Sequence, residues 1–305
     1  MAEGIIWMDG SLVKWDDAKI HVLTHGLHYG TAVFEGIRCY KTINGQAVFR
    51  LPDHIQRLMD SGKIYFMDLG YSKSQLQDAV IDTIKANKID ECYVRPIVYY
   101  GYGKMGVNPL PNKVSIAIAV WKWDEYLKQD NTGSGARLMV SNWNRIDNRS
   151  MPMLAKATAN YANSALARVE ALKAGFDEAI MLNVNGMVVE ASAENIFIVK
   201  DGCLITPSIA SGALNGITRD SILTLAREHK IPSEIRDISR DELYLADELF
   251  LTGTAAEVKP VGEVDNRIIG DGKIGIVTKQ LKILFEAAVH GHDKKFSSRW
   301  LISIN

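Results

Sequence analysis

Hydrophobic and polar residues alternate near the start of the chain in the manner of β-strands. The alternation at 5–7 and 12–15 flanks Asp9-Gly10, a pair that is typical of a two-residue hairpin turn. The intervals 92–100 and 114–121 are rich in β-branched and aromatic residues, as buried strands are. The chain is therefore predicted to begin with a sheet.

Between the opening hairpin and the strand at 92–100, the apolar residues follow the period of α-helices. A strand at 47–51 is followed by Pro52, which can open a helix, and apolar residues then recur every three or four positions. Ser72 and Gln75 have the spacing of a capping box ahead of a second amphipathic helix. The first part of the chain is therefore predicted to be α+β.

A polar, glycine-rich run at 130–135 interrupts the pattern and indicates an interdomain linker or a mobile lid. We predict a small N-terminal α+β domain at 1–121, a linker or lid at 122–136 and a large C-terminal domain at 137–305. In the large domain, strands are expected at 138–143, 179–182, 187–189, 195–199 and 248–251, and helices at 158–174, at 216–229, after the capping box that begins at Ser239, and from 276 onward.

Composition excludes several classes of function. The 35 Lys and Arg residues nearly balance 36 Asp and Glu residues, so the net charge of −1 does not attract a phosphate backbone or an acidic membrane. The N-terminus lacks the cationic start of a signal peptide, and no apolar run could span a bilayer. We therefore expect a cytoplasmic protein that binds neither nucleic acid nor membrane. Cys39, Cys92 and Cys203 are far apart and odd in number, which favours buried reduced thiols.

Two patterns resemble binding motifs but have a better explanation. Residues 101–106 fit G-x-G-x-x-G, yet two prolines in 107–111 prevent the helix that a dinucleotide site requires, which indicates a flexible glycine loop. His21, His25 and His28 lack a carboxylate or thiol at ligand spacing. We expect these histidines to be structural or hydrogen-bonding rather than metal ligands.

Two charged residues are candidates for chemistry. Lys156 is the only charged residue between positions 150 and 167. Burial without a partner would favour its free amine, the form that Schiff-base chemistry needs, whereas a surface lysine with a covering stem is the commoner case. Glu190 ends a β-rich run, where its carboxylate could keep a heteroaromatic nitrogen protonated or simply face solvent. Neither residue is decisive alone.

A phosphate could bind at the start of the helix predicted at 216–229. Thr218 lies in its first turn, where backbone N–H groups and the helix dipole favour an anion, although ordinary capping explains the same residues. Gly253-Thr254 forms a small-residue turn that could donate further N–H groups. Arg57 could add a fixed charge, or could be solvated as most helical arginines are.

Together these segments resemble the branched-chain amino-acid aminotransferases, which are class IV (fold type IV) pyridoxal-phosphate enzymes. The similarity covers nearly the whole chain, and such ordered agreement of motifs is highly specific. The motifs are H-V-L-T-H-G-L-H-Y-G-T-A-V-F-E-G-I-R-C-Y from position 21, then H-I-Q-R-L, C-Y-V-R-P, G-K-M-G-V-N-P, K-A-T-A-N-Y, E-A-S-A-E-N-I-F, G-I-T-R-D and L-T-G-T-A-A-E.

The resemblance implies two α/β domains joined by a short linker, with pyridoxal 5′-phosphate between them and the C-terminal domain as the cofactor-binding domain. Lys156 is then the catalytic residue that forms a Schiff base with the cofactor. By the same resemblance, Tyr161 hydrogen-bonds the phenolic oxygen and Glu190 pairs with the pyridine nitrogen. The family's phosphate contacts fall on Arg57, Ile217, Thr218 and Thr254.

The family's substrate pocket also maps onto this sequence. Its lining corresponds to Tyr29, Phe34, Gly36, Tyr93, Arg95, Met105, Val107, Trp123, Tyr126, Thr254 and Ala255. Tyr29 and Val107 would come from a neighbouring subunit, so the resemblance implies a homo-oligomer of at least two subunits, with a hexamer built as a trimer of dimers as one option. Asn215 is a departure, because many relatives have proline before G-I-T-R, and it affects the backbone that enters the phosphate loop.

The implied reaction is transamination between L-leucine, L-isoleucine or L-valine and 2-oxoglutarate, which gives branched 2-oxo acids and L-glutamate. The Y-V-R and G-K-M-G-V-N segments favour branched-chain substrates. D-Amino-acid and (R)-amine aminotransferases and an aminodeoxychorismate lyase share the fold and stay as alternatives. A catalytically silent phosphate-binding scaffold is a further alternative, and the presence of Lys156, Tyr161 and Glu190 together argues against it.

Overall fold

The computed structural model describes residues 4–122 and 135–304, and the chain divides into two compact units. Unit 1 comprises Met1–Asp124, Ala155–Ala159 and Ala288–Asn305, and unit 2 comprises Glu125–Leu154 and Asn160–Ala287. The sequence-based boundaries assigned residues 155–159 and 288–305 to the large C-terminal domain, whereas both segments pack within unit 1. Most of the linker predicted at 122–136 lies outside the described residues.

Helices and strands occur in both units. The strands are β1 (Ile5–Met8), β2 (Ser11–Lys14), β3 (Ala32–Phe34), β4 (Ile37–Thr42), β5 (Gly45–Phe49), β6 (Cys92–Tyr100), β7 (Val114–Trp121), β8 (Ala136–Val140), β9 (Glu178–Leu182), β10 (Val188–Ala191), β11 (Asn195–Lys200), β12 (Cys203–Thr206), β13 (Ser233–Ile235), β14 (Glu248–Gly253), β15 (Glu257–Val264), β16 (Arg267–Ile268) and β17 (Leu301–Ser303). The α-helices are α1 (His25–Tyr29), α2 (Leu51–Ile64), α3 (Lys73–Asn87), α4 (Thr158–Lys173), α5 (Ile217–Glu228), α6 (Arg240–Leu245), α7 (Ile276–Val289) and α8 (Lys294–Trp300). Across the described ranges, none of the helices has the length and apolar character needed to cross a membrane.

Within the described residues, unit 1 has an eight-stranded sheet in the order β17-β5-β4-β6-β7-β1-β2, with β3 paired to β6. Every pair among these strands is antiparallel. Helices α2 and α3 cover one face, where Val94 and Ile118 join Leu58 and Leu76 in a buried core. Because strand residues alternate between faces, the neighbouring positions of β3, β4 and β6 lie on the other face.

A proline interrupts the pairing of β6 near the predicted site. β3 and β4 pair with successive parts of β6 in one continuous register. Between them, Pro96 has no N–H to donate, so the ladder is reduced to the Glu35 N–H bond to the Pro96 carbonyl, at 2.9 Å. The alternation places Glu35 on the core face, beneath α2, and Phe34 and Gly36 on the opposite face.

In its described residues, unit 2 has a nine-stranded mixed sheet in the order β10-β9-β8-β15-β14-β11-β12-β13, with β16 paired to β15. β8 runs parallel to β9 and β15, β12 runs parallel to β13, and the other pairs are antiparallel. Its core includes Leu138, Ile180, Ile196, Leu249 and Val261. The sheet therefore supports strand β10, which carries Glu190, and strand β14, which ends just before Thr254.

Most elements expected from the sequence are present, with shifts of a few residues at their ends. The hairpin at Asp9-Gly10 and the capping box that begins at Ser72 are confirmed. The strand predicted at 47–51 is found at Gly45–Phe49, because α2 begins at Leu51.

Strand β15 has no counterpart in the sequence prediction, although it lies between two other strands. Pro260 is unfavourable within a strand, because it has no N–H to donate to a ladder. It lies one residue before the pairing with β8 begins at Val261, so only its β14 side takes part in a ladder. A proline is tolerated at that point because no second neighbour requires its N–H. The prediction also omitted the strands β3, β4, β12, β13, β16 and β17 and the helices α1 and α8.

Candidate active site

Lys156 lies in a short segment beside β3 of unit 1. Its carbonyl accepts a hydrogen bond from the Phe34 N–H at 2.9 Å, and its own N–H donates to Ser61 Oγ at 3.0 Å. The next residue, Ala157, forms a β-bridge with Val33. These contacts fix the backbone on both sides of Lys156. Its side chain is half-buried, and Nζ lies 4.8 Å from the centroid of the Phe34 ring.

Four predicted pocket residues share one face of the unit 1 sheet. The Arg95 guanidinium carbon lies 4.9 Å from the centroid of the Phe34 ring and 5.4 Å from that of Tyr93. Arg95 Nε is buried without a hydrogen-bond partner in the part of the chain that the structure describes. A Cβ added to Gly36 would clash with the Tyr93 hydroxyl, so a larger residue there would displace the Tyr93 ring. The structure therefore brings Phe34, Gly36, Tyr93 and Arg95 together with Lys156.

A buried cluster that the sequence analysis missed lies on the core face of the same sheet. The Glu35 carboxylate is fully buried and accepts hydrogen bonds from Arg57 Nε at 2.6 Å and Arg57 Nη2 at 2.8 Å. His54 Nδ1 lies 2.7 Å from Glu35 Oε2. Burial alone would raise the pKa of Glu35, but the charge and hydrogen bonds of its partners outweigh burial and lower that pKa well below its usual range. Burial lowers the pKa of His54, which favours the neutral ring.

Helix α2 links this cluster to Lys156. Arg57 and Ser61 are four residues apart on α2 and so lie on one face of the helix. Ser61 holds the Lys156 backbone, while Arg57 pairs with Glu35, the residue that follows Phe34. Two sequence-predicted site residues, Lys156 and Arg57, are therefore held by one framework in unit 1.

In unit 2, Glu190 lies in β10 and is buried among hydrogen-bond donors. Arg145 Nη2 is 2.8 Å from Glu190 Oε1, while Glu190 Oε2 accepts from the Leu214 N–H at 3.1 Å and from Asn195 Nδ2 at 3.3 Å. Arg145 is 5% exposed and also donates from Nη1 to Ser164 Oγ at 2.9 Å. Glu190 is thus not a strand-end acid that faces solvent. These partners are all donors, which suits an ionised carboxylate.

The residues predicted to bind phosphate in unit 2 lie at two turns. Helix α5 begins at Ile217, and its N-cap, Gly216, supplies no side-chain cap. Thr218 is buried in the first turn of α5. Thr254 and Ala255 lie in the turn between β14 and β15 and are half-buried. A helix N-terminus with a buried hydroxyl and no side-chain cap is suited to an anion.

Three further pocket residues are exposed rather than gathered around Arg95. Tyr29, Met105 and Val107 are 42%, 42% and 84% exposed. Their segments are joined by His25, whose Nε2 lies 2.7 Å from the Gly106 carbonyl. These residues therefore form part of the surface of unit 1.

The other predicted site residues lie elsewhere. Tyr161 is half-buried in the first turn of α4. Trp123 and Tyr126 lie outside the described residues.

The histidines near the N-terminus make hydrogen bonds to the chain, in line with expectation. His25 Nδ1 is 2.7 Å from Thr31 Oγ1, and His28 Nε2 is 2.8 Å from the Val22 carbonyl. His21 Nδ1 accepts from the Leu23 N–H at 3.1 Å. Among the residues that the structure describes, no group of three or more His, Cys, Asp and Glu side chains could hold a metal ion.

The residues that contact predicted site residues and that sequence reasoning missed are Glu35, His54, Arg145 and Asn195. Glu35 carried a usable signal, since a lone acid in the apolar run A-V-F-E-G-I falls on a buried strand and needs a partner. Arg145 and Asn195 carried no comparable signal, because their hydrogen bonds to Glu190 depend on how the chain turns between the strands of unit 2.

Comparison with known proteins places the whole chain in one group. Residues 32–264 match the family model described as amino-transferase class IV. The branched-chain-amino-acid aminotransferase of Salmonella typhimurium is 45% identical over 302 residues, which cover 98% of this chain and 97% of that protein. The Pseudomonas aeruginosa protein of the same name is 46% identical over 289 residues, which cover 95% and 94%.

Solved structures give a similar result. The branched-chain amino acid aminotransferase of Escherichia coli matches with a TM-score of 0.96 and 44% identity over 100% of both chains. The T.th. branched-chain amino acid aminotransferase complexed with N-(5'-phosphopyridoxyl)-L-glutamate matches with a TM-score of 0.95 and 42% identity, also over 100% of both chains.

Proposed function

The chain belongs to the class IV aminotransferases, and from this membership we infer that it transfers the amino group of branched-chain L-amino acids to 2-oxoglutarate. The cofactor is pyridoxal 5′-phosphate, and the products are branched 2-oxo acids and L-glutamate. The fold, cofactor and reaction implied by the family resemblance are confirmed by the matches above.

One observation in the structure carries this function. The Lys156 amine and the Arg95 guanidinium both contact the Phe34 ring, at 4.8 and 4.9 Å from its centroid. An amine suited to covalent chemistry, an apolar wall suited to a branched side chain and a cation suited to a carboxylate therefore occur together.

The residues present fit the cofactor. Glu190 offers a carboxylate held among donors, and Thr218 offers a buried hydroxyl at a helix N-terminus whose N-cap, Gly216, has no side chain to cap it. Thr252 Oγ1 is buried without a hydrogen-bond partner among the described residues, and its strand pairs with β11 opposite Asn195. When bound, pyridoxal phosphate supplies an electron sink that acidifies the α-carbon of the substrate.

Each part of the cofactor then has a counterpart in the chain. Lys156 would hold the cofactor through Nζ, and the same Nζ would be the base that removes the proton from the substrate α-carbon. Glu190 would keep the proton on the ring nitrogen, and Tyr161 would donate to the phenolic oxygen. The phosphate would be held by Arg57, Ile217, Thr218 and Thr254.

The substrate pocket has to accept an apolar side chain and, in the second half-reaction, a carboxylate. Phe34 and Tyr93 supply apolar surface, and Arg95 would meet the second carboxylate of glutamate and 2-oxoglutarate. The further lining residues proposed from the family are Gly36, Met105, Trp123, Tyr126, Thr254 and Ala255.

We also propose that the active unit is a homo-oligomer, with Tyr29 and Val107 reaching the pocket of a neighbouring subunit. Support comes from the exposure of apolar residues on the same segments, where Val22 and Leu27 are 68% and 62% exposed.

A cytoplasmic location is proposed as well, because the three cysteines are free thiols, which suits a reducing compartment.

A substrate comparison tests the function. Initial rates with L-leucine, L-isoleucine, L-valine, D-alanine and (R)-1-phenylethylamine should be measured against 2-oxoglutarate, with Lys156→Ala as the inactive control. The three branched L-amino acids should be the best donors. Faster turnover of D-alanine or of the (R)-amine would show that the chain has the specificity of another branch of the family.

A further inference from the structure

The turn that leads into α5 is tied to Glu190 by one side chain, that of Asn195. Asn195 is buried at the start of β11. Its Nδ2 donates to the Leu214 carbonyl at 2.9 Å and to Glu190 Oε2 at 3.3 Å. The Leu214 N–H donates to the same Glu190 oxygen at 3.1 Å. Asn195, Glu190 and Leu214 therefore form a closed network of three hydrogen bonds.

The chemistry of this position requires an amide. Both acceptors face Nδ2, and a flipped amide would point its oxygen at a carboxylate and a carbonyl, so one orientation is satisfactory. On its other side, Asn195 Oδ1 lies so close to Gly216 that a Cβ there would clash with it. An aspartate at this position would lose both donors and add a like charge beside Glu190.

The network joins two supports that serve different ends of the cofactor. Glu190 is the proposed partner of the ring nitrogen, and the turn at Leu214 and Gly216 leads to the proposed phosphate site at Thr218. Ring nitrogen and phosphate are separated by a fixed distance in pyridoxal phosphate. The two supports must therefore keep a fixed separation for both contacts to form together.

We propose that Asn195 is a positioning residue that fixes the Glu190 carboxylate and the 214–216 turn relative to each other. This inference rests on the function proposed above. The backbone of Asn195 pairs with Thr252 of β14, so the amide projects from an element of the sheet rather than from a free loop. The separation between the two supports is thus set before the cofactor binds.

The test titrates the cofactor-free full chain with pyridoxal 5′-phosphate and with pyridoxal, which lacks the phosphate. The ratio of the two dissociation constants, pyridoxal over pyridoxal phosphate, measures what the phosphate site contributes. Asn195→Ala should lower this ratio by about three- to tenfold, as expected for loss of one hydrogen bond's contribution. It should also shift the pH profile of the visible absorption of the bound cofactor, because Glu190 loses a donor.

A second variant and a matched control complete the experiment. Asn195→Asp keeps the side-chain volume and should shift the absorption profile further, since it adds a carboxylate beside Glu190; it also carries the test if Asn195→Ala does not fold. Asn87 makes the same kind of contact in unit 1, where its Nδ2 donates to the Ile5 carbonyl at 2.8 Å and the Thr83 carbonyl at 2.7 Å. Asn87→Ala should lower the free energy of unfolding without changing the ratio or the absorption profile.

The outcomes separate the two levels of inference. An unchanged ratio and pH profile in both Asn195 variants would overturn the positioning role, as would equal changes in Asn87→Ala. A wild-type chain that forms no borohydride-reducible complex with pyridoxal phosphate would overturn the proposed function itself.

Discussion

Replacement of Arg57 tests whether Glu35 holds this arginine in place before any cofactor is bound. Arg57 makes hydrogen bonds of 2.6 and 2.8 Å to a carboxylate that is 0% exposed. Arg57→Ala would leave that carboxylate buried with His54 Nδ1 and the Gly36 N–H, at 2.7 and 3.2 Å. The neutral histidine and a backbone amide do not replace a guanidinium charge. The loss should therefore appear in the cofactor-free protein.

The contacts of Arg57 predict which loss is larger, that of folding free energy or that of cofactor-binding free energy. Removal of one partner from a buried ion pair costs about 3–5 kcal/mol of folding free energy. Loss of a charge-assisted contact to a phosphate costs about 1.5–3 kcal/mol of binding free energy. Arg57→Ala should thus lose more in unfolding free energy than in cofactor binding. The double variant Arg57→Met with Glu35→Gln removes both charges at similar volume, and it should recover most of the stability but not the cofactor affinity.

The assay is urea unfolding of the cofactor-free chain, combined with titration by pyridoxal phosphate. Arg149→Ala is the control, because Arg149 pairs with Asp147 at 2.8 Å but its side chain is 81% exposed, and its loss should not change stability measurably. A cost below about 1 kcal/mol for Arg57→Ala, the range of surface pairs, would refute the reasoning from burial. Recovery of cofactor affinity in the double variant would exclude Arg57 from the phosphate site.

Four further outcomes are expected. Borohydride reduction followed by peptide mapping should label Lys156, and label on another lysine would contradict its assignment. Glu190→Gln should slow α-proton removal in single turnovers more than it weakens cofactor binding; unchanged single-turnover rates would leave Glu190 a structural acid. Arg95→Leu should raise the KM for glutamate and 2-oxoglutarate more than that for leucine, measured with a monocarboxylic oxo acid as acceptor. Equal losses would mean that Arg95 either is structural or binds the α-carboxylate that both substrates share. The unfolding free energy should fall as the pH drops below about 6.5, where His54 of the unfolded chain takes up a proton, and again below about 4.5, where Glu35 does so. The reason is that folding lowers the pKa of both groups, so the unfolded chain binds more protons than the folded chain in these ranges. A flat profile in urea unfolding between pH 7 and 4 would exclude this linkage.

Local signals in the sequence were enough for most elements of the fold. The capping box at Ser72 and the hairpin turn at Asp9-Gly10 are determined by neighbouring residues, and the structure confirms both. Strand β15 was missed because Pro260 is unfavourable locally, and only the register of its neighbours makes it acceptable. Residues 155–159 were assigned to the wrong side of a boundary drawn from the chain order, because they form part of unit 1 through contacts distant in sequence.

Candidate site residues could be predicted only where a residue's own chemistry and its immediate neighbours indicate a role. Lys156 was identified as an isolated amine in an apolar run, and the family resemblance supplied its role. The partners of charged residues were not predictable in the same way. Arg57 reaches a carboxylate 22 positions away, and Arg145 meets Glu190 across 45 positions, so neither pair leaves a pattern in a local window.

These two pairs follow the same physical logic. Arg57 and Glu190 are the charged residues proposed for the two ends of the cofactor, and each is neutralised by a buried partner of opposite charge, Glu35 and Arg145. An unpaired buried charge would be costly in the cofactor-free protein, and pairing offsets part of that cost while it fixes the orientation of the functional group. The consequence is that the net charge available to attract the cofactor is small. Its phosphate would then be held mainly by oriented N–H and hydroxyl donors, such as those at the start of α5, whose positions are set before binding.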